Sequence, residues 1–246
     1  MDIKLLKTEY KKILEKVTDP HYSFTDDKYS GVFLPVNFNE YNSSSPKIMI
    51  VGRETAGWNT KNNKNLMKRI VQNNKAGSLD NIIDEATGRY SWHLLDGPKG
   101  KLKTKHKSHF KRYYCNVAKE MGISPYSMIY ANLFAWDYDN KSPLIRPKDE
   151  LSKISNLSLQ LLATQIKLFN PDYIIFATGR RGIDSLIKQL FEEHFNGYKT
   201  EHVIPRKLWE FTSAEKRCFR IAHPRAQHGH SRFRAEVIDK IKKYSL

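Results

Sequence analysis

The sequence is short of the residues on which several common chemistries depend. Its 246 residues hold only two cysteines, Cys115 and Cys218. Two thiols make no disulfide framework, and they cannot supply the four ligands of a zinc ribbon or an iron–sulfur cluster. Both lie in mixed apolar segments, which suits buried free thiols. No apolar run reaches the roughly 20 residues that span a bilayer. The opening MDIKLLKTEYKK has no secretory core, so a reducing cytoplasm is the expected setting. A Gly-rich loop of the Walker or dinucleotide kind is absent. No serine sits on a nucleophile elbow, so Ser-His-Asp hydrolysis has no support. Acids are scarce too: 26 Asp and Glu stand against 42 Lys and Arg, a net charge of +16. That excess predicts an anionic partner, nucleic acid before a membrane surface, although a solvated Lys-rich surface is the plainer explanation.

What is present reads as alternating strands and helices. Residues 2–17 place Ile3, Leu6, Tyr10, Ile13, Leu14 and Val17 at helical spacing, followed by a loop-rich stretch to Pro46. The run Ile48, Met49, Ile50, Val51 is apolar and largely β-branched, as a buried parallel strand requires, and it stops at Gly52. Further strands are predicted at 127–133, 172–177 and 217–222, with shorter ones at 202–205 and 207–211. Helices are predicted at 66–71, 79–86, 108–121, 148–169, 182–195 and 231–244. Gly122 is placed to cap the helix before it, and Asn170-Pro171 to end the longest one. The Lys-rich stretch 97–107 reads as an exposed segment. Such alternation implies an α/β fold with helices on both faces of a mainly parallel sheet. No repeat or linker divides the chain, so a single domain over 1–246 is expected, with 1–46 as an N-terminal helix and loop extension.

Three strand ends finish in polar residues. Glu54 follows the first strand, Asn132 closes the second, and His223-Pro224 follows the last. In an open parallel sheet, ligands bind beyond the carboxyl ends of the strands, so the three would converge on one crevice. A glutamate can orient or deprotonate water. An asparagine donates and accepts at once, so it can read the edge of a base. A histidine can stabilise a developing oxyanion. Each also has a structural explanation: a helix cap, a strand-end backbone partner, a hydrogen-bonded structural histidine.

Four segments, IVGRETAGW, YANLFAWD, NPDYIIFATGRRGIDSL and IAHPRAQHGHSR, are similar in order and rough spacing to the motifs of the uracil-DNA glycosylase superfamily. The resemblance covers about residues 47–240. It implies a three-layer α/β/α sandwich around a central, mainly parallel sheet of about four strands. It also implies hydrolysis of the N-glycosidic bond of uracil or another deaminated base, with no cofactor. Glu54 then takes the water-handling position, Asn132 the base-reading position, and His223 polarises the base carbonyl. The loop from Pro224 to His230 would enter the minor groove. Such enzymes extrude the target base from the stack; Trp58, Tyr90 and Trp92 are the candidates to stack on it. Thr55 stands where many members have proline, and Glu54 is one methylene longer than aspartate. Arg225, Gln227 and His228 replace an apolar wedge. A non-catalytic nucleic-acid-binding protein that keeps the same fold is the rival reading.

Basic residues fit a DNA partner, single- or double-stranded, for a monomeric protein. Lys103 and Lys105 stand in a dense cationic run from Lys99 to Arg112. Arg180 and Arg181 precede a helix, whose N-terminal amides favour phosphate. Arg225, His228 and Arg232 belong to or flank the His-Pro loop. Contacts of this kind give affinity without reading sequence. His223, His228, His230 and Cys218 match no standard zinc spacing, so no metal is expected.

Overall fold

A computed structural model of the chain describes residues 2–18, 28–58, 66–94, 108–179, 182–227 and 229–245. The chain forms two compact units, each assembled from three stretches: 1–36, 53–93 and 132–169 in the first, and 37–52, 94–131 and 170–246 in the second.

The first unit is helical. Its helices are α1 (Ile3–Glu15), α3 (Met67–Lys75), α4 (Leu79–Leu94) and α6 (Lys148–Phe169). The apolar stripe of α1 buries Leu6, Tyr10, Ile13 and Leu14, and α1 packs on α6, which buries one broad face from Ile154 to Phe169. Asp2 caps α1 by accepting from the Lys4 amide. Charged pairs lace the outer surface: Lys7–Asp84 and Lys11–Asp80 tie α1 to α4, and a bidentate Arg69–Glu85 pair ties α3 to α4.

The second unit carries the sheet. Its strands are β1 (Ile48–Gly52), β2 (Met128–Asn132), β3 (Tyr173–Phe176), β4 (Lys199–Ile204), β5 (Leu208–Ser213) and β6 (Lys216–Ile221), with Asn132 itself counted in the first unit. Their order is β2-β1-β3-β6-β5-β4. Strand β3 is parallel to β1 on one side and to β6 on the other, with Val51, Phe176 and Arg220 in line. Strands β6, β5 and β4 are antiparallel. The sheet is therefore mixed and six-stranded, which corrects the expectation of a mainly parallel sheet of about four strands. The reason is local. The β5–β6 turn puts Ala214 (φ 46°) and Glu215 (φ 65°) in the left-handed region, as a two-residue hairpin of the primed type demands. Neither Asn-Gly nor Asp-Gly is there to announce it. Strand β4 is exposed at five of its six positions and so lacks an apolar alternation to read.

The remaining helices are α2 (Asn39–Ser43), α5 (His109–Met121), α7 (Asp184–His194) and α8 (His230–Tyr244). Ser108 and a left-handed Gly122 (φ 69°) bound α5. Helix α5 rests on β2 through Phe110 and Tyr114 against Tyr130, at ring separations of 4.5 and 6.3 Å. Helix α7 packs Phe191 against Phe176 and Phe211. Glu210, next to Phe211 in β5, instead meets Lys240 and Tyr244 of α8. Consecutive strand residues point to opposite faces, so α7 and α8 cover opposite sides of the sheet. Cys218 lies fully buried in β6, and burial pushes its thiol well above the usual range.

Glu210 is a buried carboxylate held by Arg217 (2.6 Å), Lys240 (2.7 Å) and Tyr244 (3.2 Å). Burial works to raise its pKa, but the pairings with Lys240 and Arg217 outweigh it and the net shift is downward. The folded pKa therefore lies below the unfolded one. The linked stability is present above the unfolded value, near 4.3, and is lost as pH falls through the folded value. We expect Glu210→Gln to lower stability at neutral pH by about 2–3 kcal/mol, after discounting the partly exposed partners. The variant should also lose less than the wild type on acidification. Thermal melts across the acid range check both; parallel acid limbs would exclude this carboxylate as the linked group.

Candidate functional site

Three segments of the first unit are woven together without forming regular strands. The backbone of Gly31 donates to Trp58 O (3.0 Å), Phe33 to Ala135 O (2.8 Å), Phe134 to Arg53 O (2.8 Å) and Ser30 to Asp137 O (2.9 Å). Asp137 is the hub. Its carboxylate is fully buried and accepts from the amides of Gly57 (3.0 Å), Trp58 (3.1 Å) and Asn140 (3.1 Å), while its own amide donates to Ser30 Oγ (2.9 Å). Burial raises its pKa, and the donated hydrogen bonds pull the other way without cancelling that rise. Gly57 takes φ 81°, a conformation suited to glycine, at the point where the loop turns onto this carboxylate.

This framework sets the loop after β1 beside the segment after β2. Glu54 stands one residue from one end of the Arg53–Phe134 hydrogen bond, and Asn132 two residues from the other. The Glu54 side chain is 8% exposed and is gripped by its neighbour: Arg53 Nε and Nη2 reach both carboxylate oxygens at 2.7–3.0 Å. This forked pairing leaves carboxylate lone pairs for one further donor such as water. Asn132 is 4% exposed. Both its amide oxygen and its amide nitrogen are buried with no hydrogen-bond partner among the described residues. Leaving a buried polar group unsatisfied costs about 1–3 kcal/mol.

The aromatic candidates divide by burial. Trp58 donates its indole N–H to Val32 O (2.9 Å) and lies edge-on to Phe33 at 4.9 Å, with the Arg89 guanidinium 5.2 Å from the ring. Tyr90 is fully buried against the same Phe33 at 5.5 Å. Both are core rings of the first unit, not open platforms for a base. Trp92, on α4, is 50% exposed.

The second unit holds the His-Pro element. It follows β6 as a tight turn in which the Ala226 amide donates to His223 O (2.7 Å), and Pro224 is buried. The Arg225 amide donates to His223 Nδ1 (3.1 Å), which makes Nδ1 an acceptor and assigns the proton of the neutral ring to Nε2. Gly179, with φ 76°, lies against this histidine, and its amide donates to Ile221 O. Arg225 and Arg232 are exposed, Arg232 beside the Phe233 ring at 4.6 Å. Lys103, Lys105, Arg180, Arg181 and His228 lie outside the described residues. Among the described residues no three His, Cys, Asp or Glu side chains group as metal ligands would, and no helix is long and apolar enough to cross a membrane.

Sequence reasoning passed over Asp137 and Arg53. Asp137 ends the YANLFAWD run, where an acid between an apolar strand end and a turn is a ready acceptor for loop amides. Asp137→Ala would take the acceptor from three amides, of which that of Trp58 is buried and those of Gly57 and Asn140 partly so. We expect a loss of about 3 kcal/mol in urea unfolding and faster hydrogen exchange at the Gly57 and Trp58 amides. Unchanged exchange there would mean that the loop is held by something else. No family model matches the chain, and no curated relative matches it.

Proposed function

We propose that the protein is a DNA glycosylase-like hydrolase with a three-layer α/β/α fold. On this reading it cleaves the N-glycosidic bond of uracil or another deaminated base in DNA by base flipping and water attack. The observation that carries the reading is Asn132. A buried amide with neither atom partnered suits a group whose hydrogen bonds are completed by a ligand, and an extruded pyrimidine offers both a carbonyl and an N–H. His223 has the chemistry the reaction needs: a neutral ring with its proton on Nε2 can donate to a carbonyl oxygen that gains charge as the bond breaks. Glu54 is the water-handling group of this scheme. The net charge of +16 supports a nucleic-acid partner.

One observation favours the rival reading, a non-catalytic nucleic-acid-binding protein of the same fold. The Arg53 guanidinium is hydrogen-bonded to both oxygens of Glu54, so it competes with a water for the same carboxylate lone pairs.

The test is alkaline cleavage of uracil-containing oligonucleotides, single- and double-stranded, after incubation with the protein. Asn132→Ala should cut the rate by about 100-fold, the scale of losing a hydrogen bond formed at the reacting group. Glu54→Gln and His223→Ala should each reduce it by at least about tenfold, with oligonucleotide affinity nearly unchanged. Absence of cleavage together with tight, salt-sensitive binding would favour the rival. Full activity in all three variants would discard the site.

A further inference from the structure

In the sheet-bearing unit, α5 and α8 line a cavity of about 550 Å³. Residues His109, Arg112, Tyr113 and Asn116 line it from α5, and Ser231 and Arg234 from α8. Within each helix these positions are three or four apart and so share one face. Glu120 near the end of α5 pairs with Lys242 near the end of α8 at 3.7 Å, so the carboxyl ends of the two helices lie together. The amino-terminal halves accordingly gather His109, Arg112, Ser231 and Arg234 at the other end. There the helix dipoles add positive potential, and Gly229 gives the start of α8 no side-chain cap.

Charge alone makes no site, but Tyr113 supplies a second observation. The residue is 6% exposed, it lines this cavity, and its hydroxyl is buried with no partner among the described residues. Burial raises its pKa, while the charge of Arg234, which lines the same cavity, works to lower it. The arginines keep donors in reserve. Arg112 contacts His109 Nδ1 (3.0 Å) through Nη2 and Arg234 donates to Ala226 O (3.2 Å) through Nη1, against five N–H groups on each. The acids of the lining are Glu120 and Asp239, both toward the carboxyl-terminal end, and Glu120 is engaged by Lys242. Pro224, Ala235 and Ile238 add apolar surface. The volume exceeds a bare phosphate and falls in the range of small-ligand pockets, roughly 300–1,000 Å³.

We propose that this cavity binds a phosphate group carried by a nucleotide, with Arg112 and Arg234 pairing to its oxygens, the Tyr113 hydroxyl donating a third hydrogen bond, and the apolar lining taking the sugar or base. The proposal does not depend on glycosylase chemistry. It uses the buried tyrosine and the arginine of α8, neither of which takes part in that reaction. The nucleotide is either part of a DNA strand or free, and the chemistry of recognition is the same.

The experiment measures binding with no reaction involved. A fluorescein-labelled oligothymidylate is titrated by anisotropy at several salt concentrations. Thymidine 3′,5′-bisphosphate, thymidine and inorganic phosphate are titrated by calorimetry. The proteins are the wild type, Arg112→Gln, Arg234→Gln and Tyr113→Phe, each checked by thermal melting. For a strand phosphate, each arginine variant should weaken oligothymidylate binding by about tenfold and lower the salt slope by about 0.7. Tyr113→Phe should weaken it about tenfold, the effect of one hydrogen bond to a charged acceptor, and leave the slope unchanged. Its melting temperature should not fall, since it removes an unpartnered hydroxyl and no packing. If the three variants instead lose the bisphosphate and keep the oligothymidylate, the ligand is a free nucleotide at the same phosphate site. Wild-type behaviour of all three toward both ligands overturns the proposal. So does weakening confined to the arginine variants, because surface charge alone then accounts for the binding.

Discussion

The four-residue strand Tyr173–Phe176 is the constraint on which the sheet depends. It is buried at every position, and buried backbone groups must be paired. Strand β1 satisfies one side and β6 the other, both parallel and both in continuous register. Matching registers bring the carboxyl ends of the three strands level. The loop that begins at Arg53, the Thr178–Gly179 turn and the His223-Pro224 turn therefore all start from one edge of the sheet.

Two buried polar side chains of the first unit show opposite solutions to the same cost. Asp137 is saturated: amides from two different loops converge on its carboxylate, and its own amide is taken by Ser30. Such a group spends its hydrogen-bonding capacity on holding loops in place. Asn132 is buried to nearly the same degree and holds nothing. Stability gains nothing from the side-chain polarity of an amide of that kind.

Parts of this organisation were readable in advance because single physical signals announced them. The apolar stripe of α1, the strand that stops at Gly52, the cap at Gly122 and the helix ended by Asn170-Pro171 all lie close to where pattern and chain sterics put them. The hairpins after Gly197 were harder. Ala214 and Glu215 adopt left-handed geometry with no glycine or asparagine to mark it, and β4 turns polar residues outward along nearly its whole length. In the site, residue type suggested Glu54, Asn132 and His223. It did not reveal that Arg53 grips Glu54, because a neighbour in sequence need not be a neighbour through its side chain. Nor did it separate Trp58 and Tyr90, which pack inside on Phe33, from Trp92. An aromatic at helical spacing reads alike until the packing is seen.

The two margins of the sheet differ. Strand β2 is buried throughout, while β4 carries Lys199, Glu201 and His202 in the open, with a break in pairing between Thr200 and His202. An unpaired margin is a template on which a stray chain can add a strand and begin to aggregate. Charged side chains and an interrupted ladder make β4 a poor template of that kind. The antiparallel addition that enlarges the sheet thus also ends it, and protects it against growth by accretion.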